Sequence, residues 1–418
     1  MMQRLYTLAV IGVQPLLRRK LKRRGRAEPG YLLHVDERFG QYDGASPEAG
    51  AVWIHAVSLG ETRAAAILID KLRELRPGIR ILLTHGTATG RAEGERIVRE
   101  GDKQAWFPWD TPKAVRGFLN HFHPGVGVLM ETEVWPNMVS ECSARGIPLV
   151  LANARFSGKS MNQTLRLARL ARSAYGSLAA VWAQTEGDAE RLARVGATVK
   201  GVFGNLKFDA APDPRQLSQG LRWRGELGRP VVTFASSREG EEAQFFRAVR
   251  ELGDSGVQWL VVPRHPQRFD EVAALAREQG FAVSRRSAWT DAPQTASMWI
   301  GDSLGEMALF YGLSDVALLG GSFEKLGGQN LIEAAACGCP VVMGPHTFNF
   351  AQAAELAQEA GAALRVQDMG EAVRTAVQLA SDAARHQSAV RSARAFSSAH
   401  QGAAQKTAEA VLALVDKQ

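Results

Sequence analysis

Cysteine is scarce in this sequence, and its spacing suits neither disulfides nor zinc. The only cysteines are Cys142, Cys337 and Cys339. Three cannot form a disulfide framework, and the single residue between the last two is not the spacing of a structural zinc site. The sequence also lacks an Asp-x-Asp pair for a metal–diphosphate clamp, and its nine histidines show no metal-ligand spacing. We therefore expect a reducing compartment and a function that needs no metal or other cofactor.

Acidic residues are absent from the first 26 positions, which hold eight basic residues. The whole chain has 50 Lys and Arg against 43 Asp and Glu, a net charge of +7. When those eight are set aside, 42 basic residues balance the 43 acidic ones, so the basic excess is local. A nucleic-acid-binding protein needs a basic face on its folded domains. We therefore expect no nucleic-acid partner.

A long uninterrupted apolar run is missing from the N-terminal segment as well. Residues 5–17 form a short apolar run that Gln14 and Pro15 interrupt, whereas about 20 apolar residues are needed to span a bilayer. A signal peptide would carry its charges before the apolar run, and here they follow it. An apolar stretch beside a polybasic cluster is typical of a peripheral anchor on an anionic membrane surface. Residues 1–26 are therefore predicted to associate with a membrane; the alternative is an ordinary N-terminal helix with a solvated basic end.

Length and pattern predict two α/β domains. The chain has 418 residues, of which 45% are hydrophobic and 22% charged, whereas single cores stop growing at about 250–300 residues. From residue 51 onward, short apolar runs alternate with segments of helical period, which indicates parallel sheets covered by helices. We predict two doubly wound, Rossmann-like domains facing a central cleft, spanning residues 27–208 and 230–418. A linker at 209–229 joins them, and a long helix over about 387–415 ends the second.

Three acidic residues follow predicted strands of the first domain, where ligands of doubly wound sheets bind. Glu61 comes three residues after Ser58, at the start of a helix, and Ser58 is itself a candidate for a phosphate or donor contact. It either favours the helix dipole or acts as a general base whose pKa is raised by partial burial. Glu131 and Glu133 follow the apolar strand 126–130, and we expect at most one of them to share a face with Glu61.

Several motifs of the second domain are typical of phosphate and nucleotide binding. Backbone N–H groups at glycine-lined helix starts bind phosphate, and an arginine can hold it with two hydrogen bonds. Glu333, one helical turn after Asn330, could accept hydrogen bonds from a ribose, or could be a solvated helix residue. The candidates for these phosphate and ribose contacts are Ser236, Ser237, Arg264, His265, Gly320, Gly321, Ser322, Gly327, Gly328, Gln329, Asn330 and Glu333.

Two further patterns resemble known motifs but fit poorly. Residues 301–305 match Gly-x-Ser-x-Gly, the nucleophile turn of α/β-hydrolases, and Asp315 and His346 follow in the right order. Hydrolases of that class have one domain, however, whereas the length and pattern of this sequence predict two domains. Residues 158–160 match the end of a P-loop, but Asn153 stands where that motif needs a glycine.

Taken together, the longer motifs resemble those of the transferases of Kdo (3-deoxy-D-manno-octulosonic acid) in Gram-negative lipopolysaccharide assembly. The resemblance covers nearly the whole chain. It rests on HAVSLGE (55–61), METEVWPN (130–137), AQTEGDAERL (183–192), GNLKFD (204–209), PRHPQR (263–268), DSLGEM (302–307), GGSFEKLGGQN (320–330) and PVVMGPHTFNF (340–350).

The resemblance implies a GT-B fold, CMP-Kdo as the donor and lipid IVA, a lipid A precursor, as the acceptor. It also implies attachment to the cytoplasmic face of the inner membrane. By motif, Glu61 is similar to the general base, and Glu131 and Lys207 are similar to the transition-state stabilisers. The CMP site implied in the same way is formed by Arg264, His265, Leu304, Gly305, Glu306, Met307, Asn330, Leu331, Ile332 and Glu333.

The chain departs from the family pattern at two places. Gln329 stands where the family usually has His, and Gln cannot be protonated, which puts in doubt any charge that the His supplies to phosphate. Residues 236–238 differ from the Ser/Thr–His run of many members. Two other functions stay open: another GT-B nucleotide-sugar transferase of envelope synthesis, and a non-catalytic nucleotide-sugar-binding protein.

Overall fold

A computed structural model describes residues 2–417. The chain divides into two compact units. The first unit contains the residues up to Asp209 and those from Gln401 onward, and the second is Ala210–His400. Each unit has a parallel β-sheet and its own buried apolar clusters.

The described residues of the first unit form a seven-stranded parallel sheet in the order β3-β2-β1-β4-β5-β6-β7. Its strands are β1 Val52–His55, β2 Ile81–His85, β3 Lys103–Trp106, β4 Val126–Met130, β5 Leu149–Ala154, β6 Ala180–Ala183 and β7 Val199–Val202. Its helices up to β7 are α1 Met2–Ala27, α2 Leu59–Leu75, α3 Ala88–Gly94, α4 Pro112–Phe122, α5 Pro136–Ala144, α6 Gly158–Leu165, α7 Ala168–Gly176 and α8 Glu186–Arg194.

The second unit repeats this plan, with a seven-stranded parallel sheet in the order β10-β11-β9-β8-β12-β13-β14 within its described residues. Its strands are β8 Val231–Ser237, β9 Gln258–Pro263, β10 Val283–Arg285, β11 Met298–Ile300, β12 Val316–Leu319, β13 Val341–Met343 and β14 Ala363–Arg365. Its helices are α9 Pro214–Glu226, α10 Glu241–Leu252, α11 Phe269–Glu278, α12 Met307–Leu313, α13 Ile332–Ala336, α14 Ala351–Glu359, α15 Met369–Ser381 and α16 Ala383–Ala399.

Burial on both faces explains why the central strands read as continuous apolar runs. In β1, Trp53 belongs to the cluster on one face of the sheet, with Phe118 of α4. Its neighbour Ile54 belongs to the cluster on the other face, with Leu68 of α2. Successive side chains of a strand point to opposite faces, so both sides of the sheet are closed by helices. The predicted α/β class is confirmed.

The strand orders place one switch point in each sheet, because the direction of winding reverses between β1 and β4 and again between β8 and β12. In such sheets, ligands bind beyond the carboxyl ends of the strands beside the switch point. The loops that follow these four strands are therefore where the chemistry of each unit is to be sought.

The strands that the sequence pattern did not predict are β3, β10 and β14, and each lies at an edge of its sheet. An edge strand is covered less completely, so its sequence needs fewer apolar residues. In β3, for example, Lys103 is exposed and Gln104 is half-buried. The apolar signal that revealed the central strands is therefore weak at these positions.

Two predicted boundaries differ from the structure. The predicted linker 209–229 contains helix α9, which begins at Pro214 after the N-cap Asp213 and belongs to the second unit. The predicted long C-terminal helix is two helices, α16 and α17 (Ala403–Val415). Gly402, with φ of +103°, breaks it, and α17 packs in the first unit.

The N-terminal segment forms the 26-residue helix α1. One side of it contacts the first unit, where Tyr6 donates a hydrogen bond to Asp110 and Thr7 donates one to Asn137, each at 2.8 Å. The other side exposes apolar residues, with Leu8 and Leu16 each 64% exposed. Across residues 2–417, no helix combines the length and apolar character that crossing a bilayer requires.

Candidate active site

Glu61 lies in the first turn of α2, directly after the central strand β1. Ser58 is the N-cap of this helix: its Oγ accepts from the Glu61 N–H at 3.4 Å and donates to Glu61 Oε1 at 3.0 Å. The Val57 N–H donates to the other carboxylate oxygen at 2.8 Å. This reciprocal arrangement is a variant of the capping box. It holds the Glu61 carboxyl at the switch point of the first sheet, and Ser58, a predicted donor contact, serves to position it.

The environment of Glu61 raises the pKa of its carboxyl to about 7, chiefly because burial disfavours the charged form. The hydrogen bonds from Val57 and Ser58 stabilise the carboxylate and oppose this effect, while the negative charges of Glu131 and Glu133 add to it. A general base works best when its pKa lies near the working pH. The partial burial expected from the sequence is therefore present, and it gives Glu61 the acidity of a base that functions at neutral pH.

Glu131 follows β4, the strand beside β1, and its backbone is in the left-handed region with φ of +58°. A non-glycine residue rarely adopts this conformation, which is costly and clusters at functional sites. Its backbone is held by two hydrogen bonds, from its N–H to the Ala152 carbonyl and from the Arg155 N–H to its carbonyl. Lys207, in the short 3₁₀ turn after β7, places its Nζ 3.5 Å from Glu131 Oε1. The predicted pair is thus brought together by two distant strands.

Glu133 also influences Glu61, although the expectation that at most one of Glu131 and Glu133 shares a face with Glu61 stays a prediction. Both carboxylates raise the pKa of Glu61. The left-handed Glu131 ends the strand, so strand alternation no longer applies to the residues after it. Burial raises the pKa of Glu133 too, and the Trp135 indole donates to its carboxylate at 2.9 Å. The Trp beside two Glu residues was the sequence signal for this contact.

In the second unit, Arg264 and His265 follow β9, the strand beside β8. The Arg264 N–H donates to the Ser237 carbonyl at 3.0 Å, which ties the two strand ends together. Burial and the positive charge of Arg238 lower the pKa of His265, which favours the neutral form of its ring. Both side chains are half-buried. They remain candidates for phosphate and nucleotide contacts.

A buried ion pair that the sequence analysis did not single out lies beneath this loop. Arg268 donates to Glu242 at 2.6 Å and to Glu271 at 2.8 Å. The Ser237 hydroxyl donates to the same Glu242 carboxylate at 3.0 Å. These contacts join the loop after β9 to helix α10 and orient the backbone that presents Arg264. In the sequence, the only signal for this ion pair was Arg268, the last residue of the PRHPQR motif.

The turn before α12 contains four of the predicted CMP-site residues. Leu304 is 70% exposed, and Gly305 has φ of +77°. The Glu306 carboxylate accepts from Arg286 at 2.8 Å and from the Ser303 hydroxyl, and Met307 begins α12. Because Ser303 donates to Glu306, this turn is tied by its own side chains and is not arranged as a hydrolase nucleophile.

The other predicted CMP-site residues surround the start of α13. The Asn330 amide donates to Glu333 Oε1 at 3.0 Å and accepts from the Ile332 N–H at 3.1 Å. The side chains of Leu331 and Ile332 are buried, so they can offer a ligand only backbone groups. The polar contacts available here are those of Asn330 and Glu333.

The glycine-rich loop after β12 differs from its predicted role. The fully buried Glu241 carboxylate accepts from the backbone N–H groups of Gly321 at 2.7 Å and Phe323 at 3.0 Å. Ser322 is also fully buried, and its hydroxyl donates to the Leu319 carbonyl and accepts from Gly344. A carboxylate of this chain therefore occupies the place predicted for phosphate, and Gly321 and Ser322 hold the loop together.

Ser236 is the last residue but one of β8, at the switch point of the second sheet, and like Glu131 in the first it has a left-handed backbone, with φ of +55°. Gly320 lies so close that a Cβ at that position would stand 2.1 Å from the Ser236 carbonyl oxygen. Only a glycine permits this approach between the ends of β8 and β12. The resulting geometry brings Ser236 to the edge of the sheet where the nucleotide was predicted.

Comparison with known sequences identifies close relatives over the full chain. A family model described as 3-Deoxy-D-manno-octulosonic-acid transferase (kdotransferase) matches residues 33–210. A 3-deoxy-D-manno-octulosonic acid transferase of Bordetella pertussis is 47% identical over 420 residues, covering 97% of this chain and 98% of the relative. The enzyme of the same name from Haemophilus influenzae is 32% identical over 380 residues, covering 89% of each.

Comparison with solved structures supports the fold. The crystal structure of a glycosyltransferase from Rickettsia africae matches with a TM-score of 0.55, covering 89% of this chain and 100% of that one. The two sequences are only 14% identical, so the likeness concerns the fold alone. It is the GT-B fold, which has two doubly wound α/β domains.

Proposed function

Because this chain belongs to the family of Kdo transferases and is a glycosyltransferase, we propose that it transfers Kdo from CMP-Kdo to lipid IVA in lipopolysaccharide synthesis. The observation that carries the proposal is the Glu61 carboxyl, held at a switch point with a pKa raised to about 7. Two further carboxylates and a lysine accompany it.

Glu61 acts as the general base of an inverting displacement. It takes the proton from the acceptor hydroxyl as the oxygen of that hydroxyl attacks the anomeric carbon of Kdo, and CMP leaves. A pKa of about 7 leaves the Glu61 carboxyl partly ionised at neutral pH, so it can accept a proton. The Val57 N–H and the Ser58 hydroxyl orient the carboxylate, so the base is positioned before the substrate arrives.

Glu131, Lys207 and Arg264 stabilise the charges that develop in this reaction. The anomeric carbon gains positive character as the bond to phosphate breaks, and a carboxylate near it lowers the barrier. The departing phosphate gains negative charge, which the cations of Lys207 and Arg264 can stabilise. These two cations perform the task that a metal ion has in other transferases, so we propose a metal-independent reaction. The sequence also lacks an Asp-x-Asp metal clamp.

Helix α1 attaches the enzyme to the cytoplasmic face of the inner membrane in this proposal. Its outer side exposes Leu5, Leu8, Ile11, Val13 and Leu16, each at least 42% exposed. Its C-terminal half carries seven of the eight basic residues of the segment. Apolar side chains that enter the interface and basic ones that contact anionic headgroups are the two signals that peripheral anchoring needs.

Replacement of the proposed base tests the function. Glu61→Gln keeps the shape of the side chain but cannot accept a proton, and we expect the rate of transfer from CMP-Kdo to lipid IVA to fall by about 10²- to 10⁴-fold. Mass spectrometry of the lipid product measures transfer, with and without EDTA. Calorimetric binding of CMP should stay at the wild-type level, because Glu61 does not contact the nucleotide in this proposal.

Glu74→Gln is the matched control, since Glu74 lies on the same helix with its side chain 66% exposed. It should leave transfer unchanged. Near-wild-type turnover by Glu61→Gln would exclude Glu61 as the base, and loss of transfer in EDTA would contradict metal independence. Tighter binding of UDP than of CMP would favour a UDP-sugar transferase. Absence of CMP release from CMP-Kdo would favour a binding protein.

A further inference from the structure

A second basic surface lies on the first unit, outside both α1 and the carboxylate site. No acidic residue occurs between Glu141 and Glu186. In that interval, helices α6 and α7 and the residues around them expose five basic side chains and one leucine. This α6–α7 surface consists of Arg155, Lys159, Arg166, Leu167, Arg169 and Arg172.

The charges of this surface are not neutralised within the described part of the chain. Of the acidic residues that flank it in sequence, Glu141 pairs with Arg145 at 2.6 Å and Asp188 with Arg191 at 2.8 Å. Glu186 is exposed, and within residues 2–417 it forms no ion pair with the surface. Within residues 2–417, none of the five basic residues of the surface is in an ion pair. Among them stands Leu167, which is 50% exposed.

The α6–α7 surface adjoins helix α1. Gln3 of α1 lines a cleft of about 210 Å³ together with Leu170 and Ser173 of α7 and Val139 of α5. Leu170 and Ala174 face inward on α7, which leaves Arg169 and Arg172 on its outer side. Helix α1 and the neighbouring α6–α7 surface thus both present basic and apolar side chains outward.

We propose that the α6–α7 surface is a second membrane-docking element, which binds the headgroups of an anionic bilayer beside α1. Basic residues attract anionic lipid, and an exposed leucine among them suits the interface of a bilayer rather than a nucleic acid. The inference builds on the proposed membrane attachment through α1.

The position of the α6–α7 surface connects membrane docking with catalysis. Arg155, at the start of the surface, donates its backbone N–H to the Glu131 carbonyl at 3.2 Å. The surface therefore begins at the carboxyl edge of the first sheet, where Glu61 lies. Docking through both α1 and α6–α7 orients this edge toward the lipid, so that an acceptor headgroup reaches Glu61 without leaving the bilayer.

The test uses the full chain and large vesicles of phosphatidylcholine with about 30% phosphatidylglycerol, whose anionic headgroups attract basic residues. The first variant, named the α7 variant, is Arg166→Gln/Arg169→Gln/Arg172→Gln, with two of its three substitutions on α7. It leaves Arg155 untouched because of the contact of Arg155 with Glu131. The second is Arg19→Gln/Lys22→Gln/Arg23→Gln in α1, and a third combines both sets. The matched control is Arg247→Gln/Arg250→Gln/Arg277→Gln, three exposed arginines on helices α10 and α11 of the second unit.

Co-sedimentation measures the partition coefficient of each protein. Each basic residue near an anionic surface strengthens binding by about fivefold, so we expect the α7 variant to bind at least about tenfold more weakly than the control variant. The combined variant should bind more weakly than either triple variant. None of the proteins should sediment with phosphatidylcholine alone.

Activity is measured separately, on lipid IVA dispersed in detergent and on lipid IVA in the anionic vesicles. The α7 variant should turn over the dispersed acceptor at the wild-type rate and the vesicle-bound acceptor more slowly. The proposal would be overturned if the α7 variant bound the anionic vesicles as strongly as the control variant. It would also be overturned if the α7 variant turned over the dispersed and the vesicle-bound acceptor equally well. If the wild type turns over neither form, the proposed transferase function fails, while the sedimentation result still decides the docking surface.

Discussion

At the scale of single residues, the acidity of Glu61 is set by opposing effects of its surroundings. Burial is the largest effect and raises its pKa, and the carboxylates of Glu131 and Glu133 raise it further. Two hydrogen bonds, from Val57 and Ser58, lower it. The resulting pKa of about 7 means that a small change in any one neighbour alters the fraction of enzyme with an ionised base.

Glu133→Gln tests this balance without touching the base itself. Removing one negative charge makes ionisation of Glu61 easier, so its pKa falls. The acidic limb of the kcat/KM profile, which rises as the base loses its proton, should therefore shift to lower pH. Measurement of kcat/KM between pH 5 and 9, which brackets a pKa of about 7, determines the midpoint. A midpoint that stays in place or shifts upward would contradict the electrostatic account.

At the scale of elements, helix α1 is fixed to the first unit by polar contacts that lead to the site. The Tyr6 hydroxyl donates to Asp110, a buried residue whose carboxylate also accepts from the N–H groups of Asn137 and Met138 at 3.0 and 2.8 Å. Asp110 thereby caps helix α5, which begins directly after the Glu131–Trp135 loop. Burial raises the pKa of Asp110, and its three donors oppose that effect.

Tyr6→Phe removes the contact between α1 and Asp110 and keeps the ring. A hydrogen bond to a charged or partly charged group contributes about 1.5–3 kcal/mol, so we expect a lower free energy of unfolding and faster tryptic cleavage within α1. Tyr42→Phe is the control, because the Tyr42 hydroxyl is buried and has no hydrogen-bond partner in the described chain. Loss of this hydroxyl should leave the free energy of unfolding unchanged or increase it. Equal effects of the two substitutions in thermal unfolding would argue against a specific contact.

At the scale of the whole molecule, the C-terminus completes the first unit. After α16 of the second unit, the chain returns, and α17 packs Ala404, Ala408 and Val411 against the core that contains β1 and α2. The Asp209 carboxylate, at the end of the first unit's main segment, accepts from the N–H groups of Gly402 and Ala404 and so caps α17. The first unit is therefore built from both ends of the chain.

Asp209→Ala removes this cap, and loss of an N-cap costs about 0.5–2 kcal/mol. We expect faster amide hydrogen exchange in α17 and in the adjoining α2, and mass spectrometry measures this exchange. Asp213→Ala is the control, because Asp213 caps α9 of the second unit with the same kind of hydrogen bonds; it should affect exchange in α9 and leave α17 unchanged. Unaltered exchange in α17 of the Asp209→Ala protein would show that apolar packing alone holds the helix.

The sequence by itself determined the α/β class, the central strands and the carboxyl-end positions of Glu61, Glu131 and Arg264. These follow from local patterns, because a strand buried on both faces must be apolar and the loop after it must carry the polar groups. Only the tertiary structure decided that Glu133 joins the charges around Glu61, that Glu241 fills the glycine-rich loop and that α17 returns to the first unit. Each of these depends on contacts between segments far apart in the chain, or on a single left-handed residue that ends a strand, and neither leaves a periodic signal in the sequence.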